Sequence, residues 1–449
     1  MRVVIVGGGI GGLALGAGLR RRGFDVAVHD RDTDLTATGG YHITLDARAQ
    51  SALATLVDPH TMRRLRASAS ALHLRDRDAW WDRHGRLLAH GPDLAASQSL
   101  DIDRITLRTL LAEAVGPDLH LGRTVTGVGE CGTAHASEND YRVRASGSGA
   151  DGVLGSAGGG RVCGVVHENG CVPTVLFADG SAVSADLVVG ADGTHSVVAR
   201  HLAGGPTSRS AGIIGFSGRT ARAELRGAEQ ERLGLRSGLA VGAHGAALYI
   251  GFLDPVGNAA LDAPELRMSV TTGPTYIWGA MFPESAATLA LRELRGAELL
   301  DALLMRFREL GWAERTLEVM ARADPSTVAA YRFNAASTRA AELAPWPATR
   351  ITALGDAVHA TPPTAGMGAG AAIRDAASLV DHLVAAASGT TTVPDAVHLF
   401  EAGMRERGSE VLTLAMRTVR LILATDTPLG AAATTLATPI LAAAARLRR

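Results

Sequence analysis

Arg2-Val3-Val4-Ile5-Val6-Gly7-Gly8-Gly9-Ile10-Gly11-Gly12 is the stretch on which the reading of this chain turns. Arg2 to Val6 reads as a short buried strand, and the glycines follow at once at G-x-G-x-x-G spacing. Leu13 to Arg22 then has the pattern of a helix, with Gly23 as its natural stop. Phe24 to His29 reads as a second strand ending at Asp30. Each part has a physical role. Gly7 allows a tight turn, Gly9 lets backbone approach a pyrophosphate, and Gly12 lets the helix sit close to the sheet. The free N–H groups and positive end of the helix meet phosphate charge. Asp30 lies where a carboxylate can accept hydrogen bonds from an adenosine ribose, with Arg31 beside it as a further candidate. This motif alone does not separate FAD from NAD.

Two later motifs do. Asp186-Leu187-Val188-Val189-Gly190-Ala191-Asp192-Gly193 is an apolar strand running into a Gly/Asp turn, preceded by the hairpin signal Asp179-Gly180. His195 to Arg200 then begins a helix, which leaves Asp192 and Gly193 at a strand's carboxyl end, where open α/β sheets bind ligands. Ile351-Thr352-Ala353-Leu354-Gly355-Asp356 repeats the strand-to-Gly-Asp pattern. It leads through Ala357-Val358-His359 and Pro362-Pro363 into Gly366-Met367-Gly368-Ala369-Gly370 and a helix from Ala371 onward. An acid at this place can hold a polyol. The glycine-rich loop opening a helix supplies N–H groups and a positive dipole for a developing anion, and a reduced flavin is such an anion.

These residues resemble the FAD-dependent monooxygenases that include p-hydroxybenzoate hydroxylase, salicylate hydroxylase and the tetracycline-inactivating and polyketide-tailoring hydroxylases. The three fingerprints, at Gly7–Gly12, at Gly190–Gly193 and at Gly355-Asp356, match in order and separation, so the resemblance covers roughly residues 1 to 410. It implies FAD as cofactor, with Asp192 in a segment serving both FAD and NAD(P)H, and Asp356, Gly366 and Gly368 around the ribitol and pyrophosphate. Ile102 to Leu111 resembles the family helix whose arginine reaches the cofactor, and Arg104 is the expected residue. Gly39-Gly40-Tyr41-His42 through Leu53 resembles the segment passing beside flavin and substrate. The activity implied is single-component oxygenation with NAD(P)H and O₂, through a C4a-hydroperoxyflavin, of an apolar, polycyclic aromatic or polyketide-like small molecule. The chain departs from the pattern at Gly370, where an asparagine is usual, and at Asp30, where glutamate is commoner. Residues 129–160 read as a flexible insertion, and no thioredoxin-like extension is expected.

The fold class expected is α/β. A Rossmann-like FAD-binding domain is assembled discontinuously from residues 1–70, 100–200 and 345–400. A substrate domain with an antiparallel sheet comes from 71–99 and 201–344, and a helical segment from 401–449. Strand-like runs are Ala246 to Phe252, Leu266 to Thr272 and Thr275 to Phe282. Glu298 to Leu310 reads as an amphipathic helix and Val393 to Ala424 as a long bridging one. Tyr276 and Trp278 share a strand face that is either core or pocket wall; His42, Pro363 and Met367 complete the substrate-pocket candidates. Trp80-Trp81 reads as core or interface. No catalytic side chain is assigned, since the hard chemistry belongs to the cofactor. A structural hydrogen bond is the simpler role for His359, a proton relay the alternative.

With 449 residues, 47% hydrophobic content, 20% charged residues and net charge -1, the chain can bury a sizeable core and has no basic excess for nucleic acid. All 44 basic residues are arginine. That excludes lysine-based mechanisms, including a halogenase with an active-site lysine. No metal-ligand spacing or Gly-x-Ser-x-Gly elbow is present. Three cysteines, Cys131, Cys163 and Cys171, make no disulfide framework, and a cytoplasmic location is the default. The apolar start carries motif glycines rather than a cleavable signal. Pro428 to Leu447 is Ala/Thr-rich and interrupted by Pro439, which favours a helix packed on the protein over a membrane span. A monomer or homodimer is expected. The alternatives are a flavoprotein dehydrogenase or reductase that avoids O₂, and a non-catalytic flavin or substrate binder.

Overall fold

The computed structural model describes residues 1–36, 42–129, 166–167, 170–254, 259–268 and 273–447. Cys131, Cys163, the Gly39-Gly40-Tyr41 segment and nearly all of the expected insertion lie outside them. The first strand, Arg2–Val6, sits at the centre of a five-stranded sheet ordered Ile351–Ala353, Leu187–Gly190, Arg2–Val6, Asp25–His29, Leu119–His120. Every pairing in it is parallel. Val3, Val4 and Ile5 have no solvent exposure, as strands covered on both faces require. The helix Ile10–Arg21 packs on one face with Leu13, Leu15 and Leu19 fully buried. The other face is covered by an antiparallel three-stranded sheet, Val125–Gly129, Thr174–Phe177 and Ala182–Ser184, whose tight turn is the expected one at Asp179-Gly180. All three acidic motif turns therefore lie at the carboxyl edge of one parallel sheet.

A second, seven-stranded sheet runs Ala329–Ala335, Arg209–Ala221, Thr275–Pro283, Ala247–Leu253, Gly238–Val241, Ala79–Asp82, Leu87–His90. The expected strands at 246–252 and 275–282 are present within a residue at each end. Of the third, Leu266 closes the 3-10 turn Pro264–Leu266 and the next two residues are not in a strand, while residues 269–272 lie outside the described set. Pro264 fixes its own φ and donates no N–H, which suits a turn better than a ladder.

The alternation of side chains along the sheet separates two chemistries. Leu248, Ile250, Phe252, Tyr276, Trp278, Ala280 and Phe282 point to one face. There they meet the helix Gly296–Glu309, whose Leu299, Leu300, Leu303, Leu304 and Phe307 form the predicted stripe. The opposite face, on which Tyr249 pairs with Gly279 and Gly279 with Ser217, turns toward the cofactor domain. A 32-residue helix, Val393–Ala424, braces both sheets. The next helix, Pro428–Leu447, is the terminal helix expected there, and it runs unbroken through Pro439.

Candidate cofactor and substrate site

The G-x-G-x-x-G turn is sterically forced. Gly7 has φ +109°, and a Cβ there would stand 2.4 Å from the Ala191 carbonyl oxygen; one on Gly12 would stand 2.0 Å from the Gly7 oxygen. The first and second fingerprints thus interlock through backbone. Gly9 caps the helix with no side chain, the first turn carries no acid, and a Cβ on Gly9 would meet only Ala191 oxygen at 3.9 Å. The N–H groups of this helix end are therefore open to an anion.

Asp30 is buried, and its carboxylate accepts from the N–H groups of Gly8 (2.5 Å) and Asp32 (2.8 Å). Oxygens that accept two N–H bonds retain lone pairs for a ribose. Arg31 points to solvent. A residue the sequence reading passed over organises this end: Arg108, 3% exposed. Its guanidinium lies 3.4 Å from Asp30 and 3.1 Å from Asp32 and donates to the carbonyls of Gly8 (2.9 Å) and Leu35 (3.1 Å). The expected Arg104 is one turn earlier on the same helix, Arg104–Val115, and its charge acts instead on Asp356. Spacing of i, i+4 puts both arginines on one helix face, so one helix serves two stations along the cofactor path.

Asp192 is already engaged: it accepts from the Ser196 hydroxyl (2.5 Å) and the Val197 N–H (2.7 Å), starting the helix Val197–Ala203, and burial raises its pKa. Gly193 follows with φ +78° and open space before it. Asp356 has solvent access at the turn after Ile351–Ala353, yet protein crowds it enough that burial pushes its carboxyl pKa up, opposed by His359 and Arg104. A Cβ on Gly368 would lie 3.8 Å from the Asp356 carboxylate, and one on Gly366 3.8 Å from the Thr44 hydroxyl. The 20-residue helix Gly368–Ala387 starts here with no side-chain cap on its N–H groups. Pro363 and Gly366 are exposed and Met367 half-buried at this mouth. His359 is fully buried behind it, with Nε2 2.6 Å from Asp375, which is the structural bond anticipated for it.

On the substrate side, Tyr276 and Trp278 are core, not pocket wall. Both have zero exposure, lie on the face under the helix Gly296–Glu309, and Tyr276 donates to the Gly234 carbonyl at 2.6 Å. Trp81 joins that core, while Trp80 on the next position is 39% exposed. The face toward the cofactor domain carries Tyr249 instead, with its hydroxyl 3.1 Å from His42 Nε2. Behind His42 stands Asp101, at 3.6 Å, in a buried pair with Arg75 at 2.8 Å and accepting from the Thr44 hydroxyl. Burial lowers the His42 pKa, against the pull of Asp101, and raises that of Tyr249, so both are neutral hydrogen-bonding groups at pH 7. Further along the same face the Ser217 and Tyr331 hydroxyls lie 3.3 Å apart. His42 was legible as a candidate; Tyr249 was not, since only the register shows which strand face it shares.

The His42 ring rests directly on Gly251, where a Cβ would come within 2.4 Å of it. Gly251→Ala is expected to displace His42 and cost about 1–3 kcal/mol by overpacking. Flavin occupancy should be kept, because the fingerprints are untouched; thermal melting beside the visible spectrum checks both. An unchanged melting temperature would show that His42 moves freely.

These residues fit a flavin dinucleotide. Two uncapped helix ends open toward anions, one at the pyrophosphate turn and one beside Asp356, and Gly366 and Gly368 leave backbone accessible where a side chain would stand. Residues 5–73 match the NAD(P)-binding Rossmann-like domain and residues 312–407 the FAD binding domain. The FAD-dependent urate hydroxylase of Mycolicibacterium vanbaalenii is 27% identical over 225 residues, 49% of this chain and 46% of that protein. This match thus spans under half of that relative's length. The 2-heptyl-3-hydroxy-4(1H)-quinolone synthase of Mycobacteroides abscessus is 26% identical over 93% of this chain and 89% of its own. Among solved structures, Klebsiella pneumoniae HpxO with FAD and uric acid aligns at TM-score 0.67 with 22% identity, covering 98% of this chain and 92% of that one. P. aeruginosa PqsL with 2-aminobenzoylacetate aligns at 0.65 with 18% identity, covering 97% and 99%. At such identities the structures establish the fold, a Rossmann-like FAD-binding domain with an antiparallel sheet beside it. By sequence the chain is similar to FAD-dependent monooxygenases, and it carries an FAD binding domain match over residues 312–407.

Proposed function

We propose that this chain is a single-component monooxygenase that uses FAD, NAD(P)H and O₂ to oxygenate an apolar, polycyclic aromatic or polyketide-like small molecule. The observation that carries the reading is the convergence of the uncapped helix start at Gly368, Asp356 and the Gly366 loop on the strand His42–Leu45, which faces the inner side of the seven-stranded sheet. FAD, when bound and reduced by NAD(P)H, supplies the oxygen activation. The chain's own residues bind and orient. Gly7–Gly12 and Asp30 hold the adenosine diphosphate end, Arg104 and Asp356 the ribityl side, and N–H groups at Gly368 stabilise negative charge on the ring. His42, Tyr249, Ser217 and Tyr331 offer hydrogen bonds to an otherwise apolar substrate, and the sheet keeps water from the reacting centre.

The purified protein should be yellow, with the two visible bands of oxidised flavin. NAD(P)H oxidation and O₂ uptake should rise on adding polycyclic phenols, with a product heavier by one oxygen. A colourless protein that takes up no added FAD would overturn the reading. A yellow protein that reduces a double bond without consuming O₂ would make it a reductase, and one inert to NAD(P)H a binder.

A further inference from the structure

The helix Pro428–Leu447 is built inside out for a helix of a water-soluble surface. It lies on the edge strand Leu87–His90 of the seven-stranded sheet. Its buried residues are Ala431 and Ala442, with Thr434 and Thr438 half-buried between them, a stripe of small side chains at helical spacing. The large aliphatic residues point away: Leu429 is 83% exposed, Leu436 72%, Ile440 70% and Leu441 50%. An amphipathic helix serving only its own core shows the reverse pattern. After Asp426 the sequence has no acidic residue, and Arg446, Arg448 and Arg449 follow the apolar run.

We infer that this outward face is a peripheral membrane-binding surface, with the helix lying in the plane of an anionic bilayer. Its length and apolar composition would permit a span. One side is occupied by the protein's own sheet, however, so only the outer face is available to lipid. A second copy of the chain fits less well. In the seven-residue repeat set by Leu429 and Leu436 the other seam positions are Ala433, Ile440 and Ala443, so the seam is about two heptads long with alanine at two of its five knobs, short of the roughly three or four heptads that sustain a coiled coil. A bilayer needs no knobs, only apolar side chains that sink below the headgroups and cations at their level. Arg446, Arg448 and Arg449 supply cations directly after the apolar run in the sequence. The surface lies outside the proposed cofactor site and does not depend on the reaction assigned to it.

The test is co-sedimentation of the full chain with vesicles of phosphatidylcholine alone or mixed with phosphatidylglycerol, at low and high salt, beside its oligomeric state from light scattering. Binding is expected to the mixed vesicles, weaker on neutral vesicles by on the order of a hundredfold from three arginines. Leu436→Glu/Ile440→Glu should weaken it at least about tenfold by taking apolar area from the interface, and should leave flavin absorbance unchanged. Arg446→Gln/Arg448→Gln/Arg449→Gln should remove the preference for anionic lipid. Failure to sediment with either vesicle overturns the inference. So does a dimer that the double variant turns to monomer without any vesicle binding, which would mean that a second copy covers the face. Resistance to extraction by alkaline carbonate would overturn it in favour of a span.

Discussion

Arg108→Met is expected to lose flavin and to destabilise the protein even without it, by about 3–5 kcal/mol, the usual cost of leaving buried charge without its partner. The guanidinium is 3% exposed and lies against two carboxylates, Asp30 and Asp32, while donating to the Gly8 and Leu35 carbonyls. Methionine keeps the packing of the stem and removes every one of these bonds. Asp30 then keeps only its backbone donors, and the Gly8 turn loses the bond that holds its carbonyl. The pyrophosphate turn and the ribose acid are thus loosened together. Arg104→Met makes the informative contrast. Arg104 is half-buried and acts on Asp356 at the other end of the cofactor path, so its loss should weaken FAD binding while leaving the melting temperature of the flavin-free protein nearly unchanged. Melting temperatures of both variants with and without FAD, together with flavin occupancy after purification, check this. A flavin-free Arg108→Met protein that melts like the wild type would show that Arg108 is not structural.

The contrast between the two arginines also shows what the sequence could and could not disclose. The parallel sheet and its three ligand-facing turns were legible because glycines and acids recur at fixed offsets from apolar runs, and backbone geometry dictates those offsets. The helix carrying both arginines was legible from its period. Which arginine meets which acid was not, because Arg104 and Arg108 are equivalent on one helix face and only the packing of that helix against the Gly8 turn distinguishes them. The substrate face failed for a related reason. Tyr276 and Trp278 alternate correctly, but alternation says only that they share a face, not which side of the sheet the cofactor lies on. Tyr249, one strand away, falls on the cofactor side through its pairing with Gly279. The helix at Pro428–Leu447 was legible from its composition, although a proline cannot donate to the preceding turn and commonly ends or kinks a helix; here Pro439 is accommodated without a break.

Asp375→Asn should have a comparable effect, and one that depends on pH. Asp375 is fully buried and joins three segments. It lies 2.6 Å from His359, accepts from Arg407 (2.9 Å) on the bracing helix and from the Gly355 N–H (3.2 Å), and itself belongs to the helix Gly368–Ala387. Gly408 presses so close that a Cβ would meet the His359 Cβ at 2.8 Å, which leaves the ring no room to turn away. Burial alone would lower the His359 pKa, but Asp375, aided by Asp356, overrides it and holds the imidazole above its ordinary 6.5. Burial alone would raise the Asp375 pKa, but His359 and Arg407 hold it below 3.8. The His359 contribution to stability is therefore complete below 6.5 and fades as pH rises through the raised value. The Asp375 contribution is complete above 3.8 and fades as pH falls through the lowered one. Asparagine keeps the shape and removes the charge, leaving Arg407 and a protonated His359 buried without their counterion, at a cost of about 3–5 kcal/mol. The difference in melting temperature between wild type and Asp375→Asn should accordingly be largest at mildly acidic pH, where both groups are charged. It should narrow in alkali, where neutral His359 no longer needs the carboxylate and Arg407 alone still does. Because the network fixes the Gly355 turn that presents Asp356, flavin occupancy should fall with stability. A pH-independent difference would mean that His359 is neutral throughout, and that Arg407 alone accounts for the role of Asp375.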